Sequence, residues 1–116
     1  MGLDFSHCDA RWGYFSFDEF RKRLATQIGI DLDSMVGHGG TRPWEDVDDP
    51  LKPFLHHSDC DGELTVEECK QVYPRLEQLL QSWPDGDNPF SHKRKGMELV
   101  RGMKRAIAQG EPLEFL

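Results

Sequence analysis

The chain has 116 residues, 14 basic and 21 acidic side chains and a formal net charge of -7, a length that fits one folded domain spanning residues 1–116 and excludes a second. With 37% hydrophobic and 10% aromatic residues it can build a core, which excludes a disordered acidic tail. No run approaches the roughly 18 apolar residues of a membrane helix, so no membrane partner is expected.

Residues 1–15 are rich in aromatic and small polar side chains and read as an extended lead-in with room for a short strand. At Ser16 the pattern changes. Ser16 and Glu19 have the spacing of a capping box, and Phe17, Phe20, Leu24 and Ile28 follow at helical steps, predicting a first helix over 17–28 that Gly29 ends. The next stretch, through Gly37-His38-Gly39-Gly40 to Pro43, carries too many glycines for regular structure and reads as a long loop, a place where function often sits. Glu45, Asp46, Asp48 and Asp49 then crowd together, and Asp49-Pro50 predicts a capped second helix over about 50–57 with Leu51, Phe54 and Leu55 inward.

Ser58-Asp59-Cys60-Asp61-Gly62 interrupts that helix with turn-forming residues, and Thr65 with Glu68 predicts a capping box that starts a third. Val66, Cys69, Val72, Tyr73, Leu76, Leu79, Leu80 and Trp83 form its apolar stripe, with Pro74 on the opposite, solvent side, where it bends a helix rather than ending it. Asn88-Pro89 predicts the start of a fourth helix ending near Gly110, with Leu99, Val100, Met103, Ala106 and Ile107 inward. Gly96 and Gly102 inside it either permit close packing or leave it dependent on tertiary contacts. Pro112 stops the helix, and the apolar end Leu113, Phe115 and Leu116 is expected to dock on the body. The expected fold class is therefore mainly α: about four helices, an extended N-terminal lead-in and a central helix-loop-helix.

Residues 57–68 resemble the twelve-residue loop of an EF-hand, with Gly62 at its sixth position. The resemblance implies a metal set of His57, Asp59, Asp61, the Glu63 carbonyl and Glu68, with Thr65 at the ninth position. Calcium wants six to eight oxygens, which short carboxylates in a tight turn and a glutamate one helical turn later can supply. His57 is the departure: it offers nitrogen where the family has an aspartate, which predicts weak affinity. EF-hands usually work in pairs, and no second such loop exists in this sequence. A metal-free turn, its carboxylates accepting backbone N–H bonds, is the competing account. Zinc ranks below calcium: His56, His57, Cys60 and Cys69 lie close in sequence and His7-Cys8 adds a pair, yet Cys69 falls on the apolar stripe and no C-x-x-C is present.

Charge is lopsided. Residues 45–68 carry nine acids against Lys52, whereas residues 93–105 carry six bases against Glu98. The basic stripe of the fourth helix is read first as a solvated face, and the overall negative charge makes a nucleic-acid partner unfavourable. No nucleophile or phosphate-loop motif occurs, and none of the five histidines has an orienting partner that sequence can identify, so an enzyme is not expected. The opening Met1-Gly2-Leu3-Asp4-Phe5 lacks the pattern of a signal peptide and three cysteines are an odd count, so a cytoplasmic protein with reduced Cys8, Cys60 and Cys69 is expected.

The start Met1-Gly2-Leu3-Asp4-Phe5-Ser6-His7-Cys8-Asp9-Ala10, the run His57-Ser58-Asp59-Cys60-Asp61-Gly62-Glu63-Leu64 and the end at residues 112–116 together resemble a group of small bacterial proteins of uncharacterised function. The resemblance implies a bacterial cytosolic protein and no activity. The functional expectation is a non-catalytic protein that works by protein contacts through the 37–44 loop, the acidic segment or both. A calcium-responsive module is the first alternative, and a small acidic immunity-type inhibitor covering a basic toxin is another.

Overall fold

The computed structural model describes residues 3–57, 62–85 and 91–116. In chain order the elements are β1 (Leu3–Asp4), β2 (Arg11–Trp12), α1 (Tyr14–Gln27), α2 (Lys52–Leu55), β3 (Glu63–Leu64), α3 (Val66–Gln81), α4 (His92–Gln109) and β4 (Leu113–Glu114). The mainly helical class holds, with the strands confined to two small two-stranded sheets. No helix among the described residues is long and apolar enough to cross a membrane.

The N-terminal lead-in is a hairpin in which β1 pairs antiparallel with β2, Leu3 opposite Trp12. It delivers the chain to α1 three residues earlier than the capping box predicted. Gly13 is the N-cap, without a side-chain cap, and Ser16 lies inside the first turn. The cause is tertiary: Trp12 stacks on Phe20 at 4.7 Å and lies 5.5 Å from Phe17, so burying the indole fixes where the helix must begin. Such overrides of local capping preference are common when large aromatic surface is at stake.

α3 and α4 form the largest helix pair. Leu80 meets Gly96 while Glu77 and Tyr73 meet Lys104, so the helices run antiparallel. The predicted capping box of α3 is present in both directions, Thr65 Oγ1 accepting from the Glu68 N–H and the Glu68 carboxylate accepting from the Thr65 N–H. Pro74 is exposed and does not break the helix. α4 starts at His92 behind an Ser91 cap; the expected Asn88-Pro89 start lies outside the described residues. Its end at Gly110 is as expected, with the glycine in the left-handed conformation at φ 68°. Both interior glycines serve close packing. A Cβ on Gly96 would stand 2.7 Å from Leu80 Cδ1, and one on Gly102 would stand 2.8 Å from the Cys8 side chain.

The predicted long loop contains the 3-10 turns Leu32–Ser34 and Trp44–Asp46, and it is anchored by buried Ile30, Leu32, Met35, Trp44 and Val47. Gly40 sits so close to Ser34 that an added Cβ would overlap its backbone at 2.1 Å, so only glycine fits. The second helix is shorter than expected, a single turn: Asp49 organises its approach, its carboxylate accepting from the Leu51 N–H, but Pro50 and Leu51 form a turn ahead of the helix.

The tail docks as expected and does more. β4 pairs antiparallel with β3, Leu64 opposite Leu113. On its other side it meets the N-terminal segment through a Phe5–Phe115 bridge, a bond from the Ser6 N–H to the Glu114 carbonyl and one from the Leu116 N–H to the Asp4 carbonyl. The last residues thus lie between the central loop's strand and the first strand. Phe5, Trp12, Phe17, Phe54 and Phe115 pack edge to face or tilted around this junction, each pair contributing about 0.5–1.5 kcal/mol beyond area burial.

Candidate functional site

Of the implied metal set, Asp59 and Asp61 lie outside the described residues. The other members occupy the two ends of the segment. Gly62 takes φ 91°, a backbone conformation open to glycine without steric cost. Just after it, the Glu63 carbonyl accepts a 2.9 Å hydrogen bond from His57 Nε2, which assigns the ring proton to that nitrogen. His57 also lies face to face with Phe115. A Glu68 carboxylate oxygen is engaged by the Thr65 N–H. His57, the Glu63 carbonyl and Glu68 are therefore each satisfied inside the protein, and among the described residues no group of three or more His, Cys, Asp or Glu converges as a metal cluster.

The zinc-type ligands have separate neighbours. His56 stacks on Trp44 at 4.8 Å, His57 lies on Phe115, and Cys69 is buried with its sulfur 3.8 Å from the Leu64 carbonyl. Burial pushes the Cys69 thiol up to about 11 and raises that of half-buried Cys8 as well. Cys60 lies outside the described residues.

Sequence reasoning missed Arg21. It lies on the buried face of α1, only 2% exposed, where an arginine at helical spacing reads as a surface residue. Its guanidinium donates to the carbonyls of Phe54, Leu55 and His57, the last at 2.6 Å, and stands 4.9 Å from the Phe17 ring centroid. The end of a one-turn helix has carbonyls that nothing else in the helix can satisfy, and Arg21 satisfies them. His38 reaches the same place from the loop, bonded to the Leu55 carbonyl at 3.0 Å and edge-on to Trp44. Together these residues connect the 37–44 loop to the start of the central loop.

Beside that loop is an open cleft of about 220 Å³, lined by Ile28, Gly29, Ile30 and Val47 with Arg42, Asp46, Asp48 and Asp49 at its polar edge. Asp49 is paired with Arg75 at 3.1 Å. Glu45, Asp46 and Asp48 are exposed, and no ion pair engages them among the described residues. Four of the six bases of α4 are engaged internally: Arg101 bonds Glu98, Lys104 bonds Glu77, Arg105 donates to the His7 carbonyl and Lys93 to that of Trp83.

Histidines do have orienting partners once the chain is folded. Trp12 Nε1, which can only donate, points at His92 Nδ1 at 3.3 Å, so the proton of neutral His92 sits on Nε2. His7 lies between Ser6 and Glu111, its Nδ1 2.6 Å from Ser6 Oγ and its Nε2 3.0 Å from Glu111 Oε1. Separations of 80 and 104 residues hide these partners from the sequence. No family model, curated protein or solved structure matches the chain.

Proposed function

We propose that the protein is a binding protein that engages a partner protein through the face made by the 37–44 loop and the acidic segment after it. The supporting observation is the cleft: Ile28, Ile30 and Val47 line it beside Arg42 and three aspartates, of which Asp46 and Asp48 have no ion pair among the described residues. Carboxylates left uncompensated on a packed loop favour a cationic partner, and they steer it in with a salt-sensitive on-rate. Val36 on the same loop is 45% exposed and offers a further apolar side chain to a partner. The partner chemistry is thus a basic segment carrying an apolar anchor, a description that also covers the basic toxin of an immunity-type reading. A photo-crosslinking residue placed at position 36 tests this, with one at exposed Gln81 as the control. The expected result is one dominant adduct at 36 that disappears when Asp46 and Asp48 become asparagine; equal trapping at both positions would refute the reading.

A second reading, a divalent-cation module in the 57–68 segment, is supported by Gly62 at φ 91° directly ahead of β3 and the capped start of α3, the order of parts that an EF-hand-like loop requires. Calcium would be held by Asp59, Asp61, the Glu63 carbonyl and Glu68. Binding then competes with bonds already made, because Glu68 must release the Thr65 N–H and the Glu63 carbonyl must share with His57 Nε2. Calcium titrated into chelator-treated protein should shift the Gly62 and Glu68 amides saturably, and Asp61→Ala should abolish the shift. A silent titration of the folded protein rejects it.

A further inference from the structure

We propose that Ser6, His7 and Glu111 form a nucleophile, base and carboxylate relay that makes Ser6 an acyl-accepting serine towards small carboxylic esters. The starting observation is a backbone outlier. His7 has φ 68°, the one positive value on a non-glycine residue among those described, and this turn brings two consecutive side chains together, Ser6 Oγ 2.6 Å from His7 Nδ1. Positive φ on a bulky residue persists only where the surroundings impose it. Here three elements do so: β4 binds Ser6 through the Glu114 carbonyl and N–H, Arg105 of α4 holds the His7 carbonyl at 3.1 Å, and Glu111, just past the Gly110 cap, holds the imidazole.

The protons can be assigned. Ser6 Oγ already accepts from the Glu114 N–H at 2.8 Å, which leaves its own hydrogen for His7 Nδ1. Nδ1 is then unprotonated, Nε2 carries the ring proton, and that N–H donates to the Glu111 carboxylate at 3.0 Å. The order O–H to nitrogen, ring N–H to carboxylate is that of a serine hydrolase relay, with the two ring nitrogens exchanged. The imidazole side chain is 13% exposed while the carboxylate is 56% exposed, so the base is shielded and the acid lies at the surface.

The chemistry balances. Ser6 Oγ attacks the ester carbonyl carbon and its proton passes to Nδ1; the C–O bond to the alkoxide breaks and that proton leaves with the alcohol. Water, deprotonated by the same nitrogen, then cleaves the acyl-serine to the carboxylic acid and restores Ser6. Glu111 stabilises the imidazolium formed in each half. None of these residues lines the acidic cleft, so the inference stands apart from the partner-binding reading.

The experiment treats the folded full chain with a fluorophosphonate probe and, separately, with p-nitrophenyl acetate, and maps adducts by mass spectrometry. The expected result is a single adduct on Ser6, absent in Ser6→Ala and formed about 100-fold more slowly in His7→Asn, a variant that tolerates the positive φ. Glu111→Gln, at an exposed side chain, keeps the fold by circular dichroism and also slows labelling. No adduct on folded wild type, an adduct elsewhere only, or equal Ser6 labelling in the His7 and Glu111 variants overturns the proposal.

Discussion

The imidazole of His57 lies flat on the ring of Phe115, with 4.0 Å between centroids and 23° between planes. Because the same imidazole bonds the Glu63 carbonyl, and the Phe115 N–H bonds the Gly62 carbonyl at 2.9 Å, the central loop and the C-terminal tail hold each other. β4 pairs along β3 beside this contact. Phe115→Ala should cost about 3 kcal/mol, the range for truncating a buried phenylalanine, and should move the Gly62 and Glu63 amide shifts. Urea unfolding and a backbone NMR spectrum check both; an unchanged loop spectrum would sever the link between tail and loop.

Arg21→Met keeps the buried stem but removes the donors to three carbonyls. Hydrogen bonds to charged groups contribute about 1.5–3 kcal/mol, while the Phe54 and Leu55 carbonyls keep the His57 N–H and His38 as further donors. The expected loss is about 1.5–3 kcal/mol by chemical denaturation, with hydrogen exchange accelerated first at residues 54–57. Arg21→Lys should recover part of it, since all three bonds leave a single nitrogen, Nη1, and an ammonium also carries three donors, though at the end of a differently shaped side chain.

Gly96→Ala and Gly102→Ala set helix propensity against packing. Alanine gains about 1 kcal/mol in a helix interior, but overpacking a tight contact costs about 1–3 kcal/mol. At Gly96 the nearest atoms are the ends of the Leu80 side chain, which can shift; at Gly102 they are Cβ and Sγ of Cys8, the former one bond from the backbone. Both variants should be destabilised, Gly102→Ala by more. Thermal midpoints decide the order, and Cys8→Ala combined with Gly102→Ala should restore part of the loss.

Two histidines make the protein acid-sensitive. Burial lowers the pKa of His92, helped by Lys95 and Arg23 and opposed by Glu19 and Asp85. Burial likewise lowers that of His38, against the Leu55 carbonyl bond, with Arg21 and His56 acting in the same direction as burial and Asp18 against it. Between each lowered folded value and the unfolded 6.5 the unfolded chain binds more protons, so stability rises with pH across that window. It is fully present above 6.5 and is lost as pH falls through the folded values. Asp85, held below its ordinary 3.8 chiefly by the Arg23 hydrogen bond, acts in the same direction only in stronger acid. The melting temperature should fall between about pH 7.5 and about pH 5.5, and less so in His92→Gln; a flat profile would contradict the placement of both rings.

The helices were legible because their signals are local and mutually consistent. The Thr65 and Glu68 box, the α3 stripe and the Gly110 stop each needed only neighbours within one or two turns. Where the expectation slipped, distant surface had decided. α1 begins at Tyr14 because Trp12 is buried against it, and α2 contracts to one turn whose end is satisfied by a residue of α1. The metal ligand set rests on the resemblance of residues 57–68 to an EF-hand loop, and a resemblance does not reveal that Glu68 and the Glu63 carbonyl also make internal hydrogen bonds. Ser6, His7 and Glu111 were illegible because one bond joins residues 104 apart, and the turn that joins the other two depends on a backbone conformation that histidine seldom adopts.

The position of β4 between β3 and the first strand also has a consequence for the order of events at the ribosome. The segment at 113–116 is synthesised well after residues 4–6 and 62–64, yet it bonds to both. Until it arrives, both strands have an open edge, and the apolar side chains beneath them, Leu3, Phe5 and Leu64, lack their cover. The helices can form earlier from local contacts, but β3 gains its partner only once 113–116 has been made. A nascent chain stalled with those residues still in the exit tunnel is thus held as a helical intermediate with adhesive edges, the form most exposed to chaperones.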